Sequence, residues 1–531
     1  MKRLTACVGC CIVVCFQTAS PANAIGGFLE VRDGRFVDHS GRHVILHGIN
    51  IEEKSRARDY ISWHGPEDYA RMRQWGFNCI RFIITWDGVE PECGEYDESY
   101  LVKVDERIAW ARQNGIYVMI DMHQDLWGRK QPIHGDGAPP WATFDEGKPH
   151  VPGKAVWSDA YFLSPMVQTA FDNFWANAPG PDGVGIQERF ALAWRHVAAR
   201  YADELAVAGY DLLNEPSPGT LLIAAALRAM PKTLEILGED DSGDGLSLPE
   251  LVERLKDPAA RGELIEKVAD VDAYRSFVDA AAPVFLMHER TQLQPMYQRV
   301  TDAIREVDSR HIVFLEPHIG TAGGMISRLE PVTAPDGKKD PQQALAPHAY
   351  DLTTDTRHIE QISIDRTEFI LERSARNARE ISMPALLGEW GAFHGTDKAV
   401  AAARASVRVL EKHLLSDTYW SFTKGIPDAP YFKSICRPYP MAVAGVIQSY
   451  GTNPETGEFN CVWLEPPEID ADTQIYLPTV WYPDGFEVTL EPSGTGYDTK
   501  SISPEDRSVY LLVEPAGEKT KRRLSVRPAE M

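Results

Sequence analysis

A chain of 531 residues is longer than one hydrophobic core supports, so a large domain with a smaller one attached is the expected organisation. The formal net charge of −23 argues against nucleic acid or an anionic membrane surface as partner, because both need a basic patch to release counterions. Neutral sugars and lipids suit such a chain better.

Residues 1–24 read as an export signal: Lys2-Arg3, an apolar run from Cys7 to Phe16, then Ala22-Asn23-Ala24, after which cleavage is expected. The run falls short of the ~20 apolar residues a spanning helix needs, and no later stretch comes closer, so a soluble secreted or periplasmic protein is predicted. Lipid attachment at Cys15 is disfavoured by the bulky Val13 and Val14 before it. Outside the signal stand Cys79, Cys93, Cys436 and Cys461, whose three possible pairings remain open. Cys436 with Cys461 is the favoured pair, whereas Cys79, inside the apolar run Phe77 to Ile84, reads as a buried small hydrophobe. None has metal-ligand spacing, and no metal or organic cofactor is expected.

From about residue 43 to 422, short apolar runs alternate with longer amphipathic segments, the signature of repeated βα units. Strands are predicted at His43–Asn50, Phe77–Thr85, Gly115–Asp121, Val207–Leu213, His311–Glu316, Ala344–Tyr350, Pro384–Glu389 and Thr418–Phe422. Helices are predicted at Pro66–Trp75, Tyr100–Asn114, Gln187–Tyr201, Thr291–Val307 and Lys398–Leu415. No Gly-rich phosphate turn follows the first strand, so a nucleotide-binding open sheet is disfavoured and a (β/α)8 TIM barrel is the expected α/β fold. His47, Asn50, Arg81, Asp121, His123, Asn214, Glu215, Glu316, His318, His348, Tyr350, Glu389 and Trp420 all fall at or near the C-terminal ends of predicted strands. In a barrel those ends meet at one mouth.

Within the catalytic unit, residues 25–450, two insertions stand out: about 124–174, rich in Trp, Gly and Pro, and about 217–290, with apolar helical runs at Leu221–Met230 and Ala280–Met287 around an acidic stretch, Gly238–Gly245. The first is expected to form loops over the mouth and the second an added helical subdomain. Residues 451–531 carry short alternating runs such as Gln474–Leu477 and Val509–Val513, which read as a β-sandwich.

Glycoside hydrolysis needs one carboxylic acid to protonate the leaving oxygen and a second carboxylate on the opposite face of the sugar. Asn214-Glu215-Pro216 ends strand 4, and Gly388-Glu389-Trp390-Gly391 ends strand 7. Those strands face one another across a barrel, so the pair is expected about 5 Å apart, the spacing of a retaining enzyme.

These motifs, together with Arg81 in Cys79-Ile80-Arg81-Phe82, Asp121-Met122-His123-Gln124-Asp125, His348-Ala349-Tyr350 and Trp420, resemble family 5 glycoside hydrolases from about His47 to Trp420. The resemblance implies Glu215 as acid/base, Glu389 as nucleophile, Arg81 and Tyr350 holding Glu389, Asn214 on the sugar 2-OH, His123 and His348 lining the subsite, and Trp420 as its floor. Gly135-Asp136-Gly137-Ala138-Pro139, Trp141, Gln294-Pro295-Met296-Tyr297 and Arg437-Pro438-Tyr439-Pro440 are similar to the endoglycoceramidase and glucosylceramidase subgroup, as is the C-terminal β-sandwich. By that likeness Asp125 binds sugar hydroxyls, Trp141 packs on the sugar or near the lipid entrance, Lys54 is a weaker sugar-binding candidate, and the substrate is a glycosylceramide presented in lipid or detergent aggregates. The 217–290 insertion is longer than the subgroup's pattern, which leaves open whether a whole glycan or one sugar is released. The competing readings are a polysaccharide endo-β-1,4-glucanase, because the core motifs are shared across the family, and a non-catalytic carbohydrate-binding protein on the same scaffold.

Overall fold

The computed structural model describes residues 25–154, 156–238, 247–255, 257–354, 356–393 and 397–529. The segment 1–24 expected to be an export signal, and most of the acidic stretch after Gly238, therefore lie outside the described residues.

Eight parallel strands form the centre: His47–Ile51, Cys79–Thr85, Tyr117–His123, Val207–Asp211, Ile312–Leu315, the sixth in two pieces (Gln343–Leu345 and His348–Ala349), Leu386–Gly391 and Ser416–Trp420. Pro347, which has no N–H to donate, sits in the break of the sixth strand. A parallel bridge between Leu345 and Ala385 joins strand 6 to strand 7 there and closes the sheet into a (β/α)8 barrel. Parallel strands covered on both faces read as near-continuous apolar runs, and Cys79–Thr85 is buried throughout. The helix between strands 2 and 3, Glu98–Gln113, shows the local logic. Asp97 caps it by accepting from the N–H groups of Ser99 and Tyr100 at 2.9 and 3.0 Å. Tyr100, Leu101, Val104, Ile108 and Ala111 bury one helical face, and Gly115, at φ +64°, turns the chain into strand 3.

The expected strand His43–Asn50 is split. His43–Val44 joins an antiparallel sheet, and only His47–Ile51 belongs to the barrel. A run that is apolar throughout carries no mark of where it changes sheets. That antiparallel sheet has seven strands: Glu30–Arg32, Arg35–Val37, His43–Val44, Tyr439–Val443, Thr473–Leu477, Asp506–Val513 and Tyr497–Ser503. A four-stranded sheet (Val446–Thr452, Phe459–Glu465, Thr520–Pro528, Phe486–Glu491) completes the β-unit. Its strands thus begin at Tyr439, ahead of the expected start at 451, and it recruits an N-terminal hairpin whose three-residue strands are too short to show a period. The β-unit docks on the barrel through Tyr439 Oη, which donates to Gly76 O at 2.7 Å, and Tyr476 Oη, which donates to Gln74 O at 2.7 Å. Gly76 is obligatory here: its φ is +83°, and a Cβ would stand 2.3 Å from the Tyr476 ring.

Cys79, Cys93, Cys436 and Cys461 are free, so the expected Cys436–Cys461 bridge is not made. Both are buried, Cys436 lies 3.6 Å from the Tyr476 hydroxyl, and burial pushes its thiol up to about 12. Among the described residues the 217–290 insertion forms four helices, Leu221–Leu237, Leu248–Leu255, Pro258–Lys267 and Val271–His288. Tyr274 Oη, donating to Gly323 O at 2.6 Å, and Arg366 Nη1, donating to Val268 O at 3.1 Å, pin it to the barrel. Among the described residues no helix is long and apolar enough to cross a membrane.

Candidate active site

Register brings the charged side chains together. Asp121 on strand 3 lies beside Asp211 on strand 4, and His348 on strand 6 lies beside Glu389 on strand 7. Arg81, fully buried on strand 2, is the hub. Its Nε donates to Asp211 Oδ2 at 2.8 Å, Nη1 to Glu389 Oε1 at 2.6 Å, and Nη2 to Asn214 Oδ1 at 2.9 Å, while Asp121 Oδ1 makes a 2.9 Å ion-pair contact. Tyr350 Oη donates to the other Glu389 oxygen at 2.7 Å. One guanidinium and one phenol thus fix both oxygens of Glu389 in a single orientation.

Glu215 follows strand 4 at φ +43°, an uncommon left-handed conformation for a side-chain-bearing residue. Gln124 clamps this turn, its amide donating to the Asn214 and Glu215 carbonyls at 2.9 and 3.2 Å. His348 Nδ1 lies 3.2 Å from Glu215 Oε1, 3.5 Å from Glu316 Oε1 and 3.6 Å from Glu389 Oε2. One carboxylate oxygen of Glu215 and one of Glu389 lie within 4.8 Å of each other and of that imidazole. Burial, then the Asp125 charge, push the Glu215 carboxyl up to about 7 against the opposing pull of His123 and Lys54. Burial brings His348 down to about 3, so it is a neutral ring. Gly388 keeps the space open for it: a Cβ there would stand 3.1 Å from His348 Nε2.

Toward strands 1, 3 and 8 the wall is polar and aromatic. His123 Nδ1 bonds Asp121 Oδ2 at 2.7 Å, and its ring lies parallel to Trp420 at 5.8 Å. Burial and Lys54 oppose protonation of His123, yet Asp121 and Asp125 outweigh them and push it up to about 10. Lys54 Nζ pairs with Asp125 Oδ2 at 2.5 Å and sits 4.6 Å from the Trp420 ring centre. His123, Asp125 and Asp136 also bring ligand-type atoms within 4.8 Å of one another, but the Lys54 ammonium already supplies a cation at Asp125.

The residues singled out from sequence converge, with three differences. Trp141 is drawn away: its indole donates to Glu90 O at 3.1 Å and its ring meets Trp86, while Trp157 is the second ring near Lys54, at 5.9 Å. His47 lies at the base of strand 1, where it bonds Asp417 and the Ile435 carbonyl. His318 is buried against Phe285, away from the cluster. Asn214 spends Oδ1 on Arg81 and one amide hydrogen on Gln124 O, leaving its second N–H for a ligand. Two members had no assigned role. Burial and then the Arg81-opposed charge of Asp121 hold the Asp211 carboxyl at about 7, and burial and then Asp211 hold Glu316 well above the usual carboxylate range. Their only sequence signal is an acidic residue at or near the end of a buried strand.

A closed parallel barrel whose C-terminal mouth gathers a neutral and a clamped carboxyl within 4.8 Å defines a glycosidase of the (β/α)8 type. The chain belongs to glycosyl hydrolase family 5: the family's cellulase model matches residues 37–234 and 270–425, and the family 5 C-terminal domain matches residues 437–526. It is 22% identical over 506 residues to endoglycoceramidase I of Rhodococcus hoagii (strain 103S), covering 92% of this chain and 86% of that one. The structure of endo-glycoceramidase II from Rhodococcus sp. as a lactosyl-enzyme intermediate matches with TM-score 0.69 at 28% identity, covering 95% of this chain and 100% of that one. The same enzyme in complex with ganglioside GM3 matches with TM-score 0.68 at 27% identity, covering 94% and 100%.

Proposed function

We propose that this family 5 enzyme cleaves the β-glycosidic bond between glycan and ceramide in glycosphingolipids with retention of configuration, and that it does so outside the cytoplasm. The observation that carries the mechanism is the short separation of Glu215 and Glu389, within 4.8 Å oxygen to oxygen, which suits a retaining pair and leaves no room for the intervening water of an inverting one. In the first step the Glu389 carboxylate attacks the anomeric carbon while Glu215 gives its proton to the departing ceramide oxygen, forming a glycosyl ester. In the second, Glu215, now a carboxylate, takes a proton from water, whose oxygen displaces Glu389 and releases the glycan. Arg81 and Tyr350 keep Glu389 oriented, His348 steadies Glu215, Trp420 floors the sugar, and His123, Lys54 and Asp125 take hydroxyls.

The glycolipid substrate rests on the named relatives and on exposed apolar side chains that follow Glu215 in the chain. Helix Leu221–Leu237 starts six residues later and leaves Ile223 and Leu227 44% and 49% exposed, apolar surface suited to a lipid leaving group and to contact with micelles. Export rests on Lys2-Arg3, the apolar run and Ala22-Asn23-Ala24. The test is mass spectrometry of products from lactosylceramide, glucosylceramide and soluble cellulose. Ceramide plus intact lactose supports the reading, and sugar released from cellulose alone overturns it.

A further inference from the structure

The loops after strands 1, 2 and 3 carry a basic rim on an otherwise acidic protein. Arg56 Nη1 donates to Asp87 Oδ2 at 2.7 Å, and Arg129 Nε donates to the same oxygen at 2.7 Å while its Nη2 reaches Oδ1 at 3.4 Å. Tyr60 Oη donates to that oxygen as well, at 2.5 Å. Asp87 is fully buried, whereas the Arg56 and Arg129 side chains are 47% and 33% exposed. Two guanidinium groups are thus gathered on one carboxylate, which leaves one net positive charge. Of ten N–H donors, the three bonds to Asp87 use three and Arg56 also contacts the Tyr60 hydroxyl, so most of the ten remain for a ligand.

Both loops are held in uncommon conformations. Asp59 and Tyr60 have φ of +55° and +53° on one side, and Leu126 and Trp127 have +56° and +76° on the other. Backbone of this kind persists only where its surroundings over-determine it. Here Tyr60 is tied to Asp87, the Leu126 N–H donates to Tyr161 Oη at 3.0 Å, and the Trp127 N–H donates to Gln124 Oε1 at 2.8 Å. Arg56 comes two residues after Lys54 and Arg129 four after Asp125. The Asp87 N–H donates to Gly137 O at 2.7 Å, and the preceding Asp136 brings a carboxylate oxygen within 4.8 Å of one of Asp125, so the arginine pair adjoins the Lys54–Asp125 pair.

We propose that Arg56 and Arg129 form an anion-reading subsite at the glycone end of the cleft, taking the carboxylate of an acidic sugar or a sulfate ester carried on the glycan. The proposal rests on the glycolipid reading for its substrate and on this geometry for its chemistry. A planar guanidinium matches either anion with two parallel N–H donors, and the pair shares one counter-charge, so an incoming anion completes the neutralisation.

The test compares kcat/KM for lactosylceramide, its sialylated form and its 3-sulfated form in neutral-detergent micelles at low salt. At least one acidic substrate is expected to be preferred by about tenfold, and the preference to shrink at high salt; which arm responds distinguishes carboxylate from sulfate. Arg56→Gln leaves Arg129 and Tyr60 on Asp87, and it is expected to bring the acidic-to-neutral ratio close to one; Arg129→Gln is expected to do the same. A wild-type ratio near one, or variants that keep the wild-type ratio, overturns the subsite. Calorimetry of sialyllactose and 3-sulfolactose against lactose judges the arginine pair even if no glycolipid is hydrolysed. Equal affinity for all three sugars rejects the subsite, whereas an anion preference without any hydrolysis rejects only the glycolipid reading.

Discussion

Two fully buried arginines sit at opposite ends of the same barrel and illustrate different uses of one residue type. At the base, Arg437 Nη2 donates to Asp417 Oδ1 at 2.6 Å, with His47 and the Trp390 indole completing the shell. Burial alone would raise the Asp417 carboxyl, but Arg437 and His47 hold it down at about 2, so acid and base balance. At the mouth, Arg81 faces Asp121, Asp211, Glu316 and Glu389 at 2.9, 2.8, 3.9 and 2.6 Å. One guanidinium cannot neutralise four carboxylates, so protons remain on Asp211 and Glu316 and, nearby, on Glu215. A balanced pair suits stability, and a surplus of carboxyl groups keeps protons ready for transfer.

The comparison breaks most sharply at Glu389. Glu389→Gln should lower turnover of lactosylceramide by roughly four orders of magnitude while far-UV circular dichroism stays native, because the nucleophile is lost without a hole in the core. At the base the effects are reversed. Arg437→Met leaves Asp417 buried without its charge partner and should lower the unfolding free energy by about 3–5 kcal/mol in chemical denaturation, with kcat per folded molecule unchanged.

A third effect is pH dependence. Glu215 acts in its protonated form, and its raised carboxyl loses that proton as pH climbs through about 7. Hence kcat/KM should fall about tenfold per pH unit above that point with a lipid leaving group. An activated aryl glycoside, whose departure needs no proton, should show a flatter alkaline limb. The smallest effect is expected at Glu316. Because this carboxyl already carries its proton, Glu316→Gln should change kcat/KM by no more than ~3-fold, whereas a charged role would make it far more damaging.

Much of this was legible in the chain. Eight buried strands announce themselves by apolar runs, and Arg81, Asn214, Glu215, His348, Tyr350 and Glu389 by falling at or near strand ends. What escaped is what depends on long-range geometry. Trp141 and Trp157 are alike as residue types, and only the fold of residues 124–159 decides which ring reaches Lys54. Cys436 and Cys461 are near in sequence, yet the β-unit sends them into different contacts. Glu316 reveals its neutrality only once Asp211 and Arg81 are packed beside it.

The most direct measurement is covalent trapping. Incubation with a 2-deoxy-2-fluoro-β-glycosyl fluoride or dinitrophenyl glycoside, followed by proteolysis and mass spectrometry, should find one fluorosugar on the peptide bearing Glu389, with activity lost in step. An adduct on any other residue, or full inactivation with Glu389 unlabelled, would contradict the account.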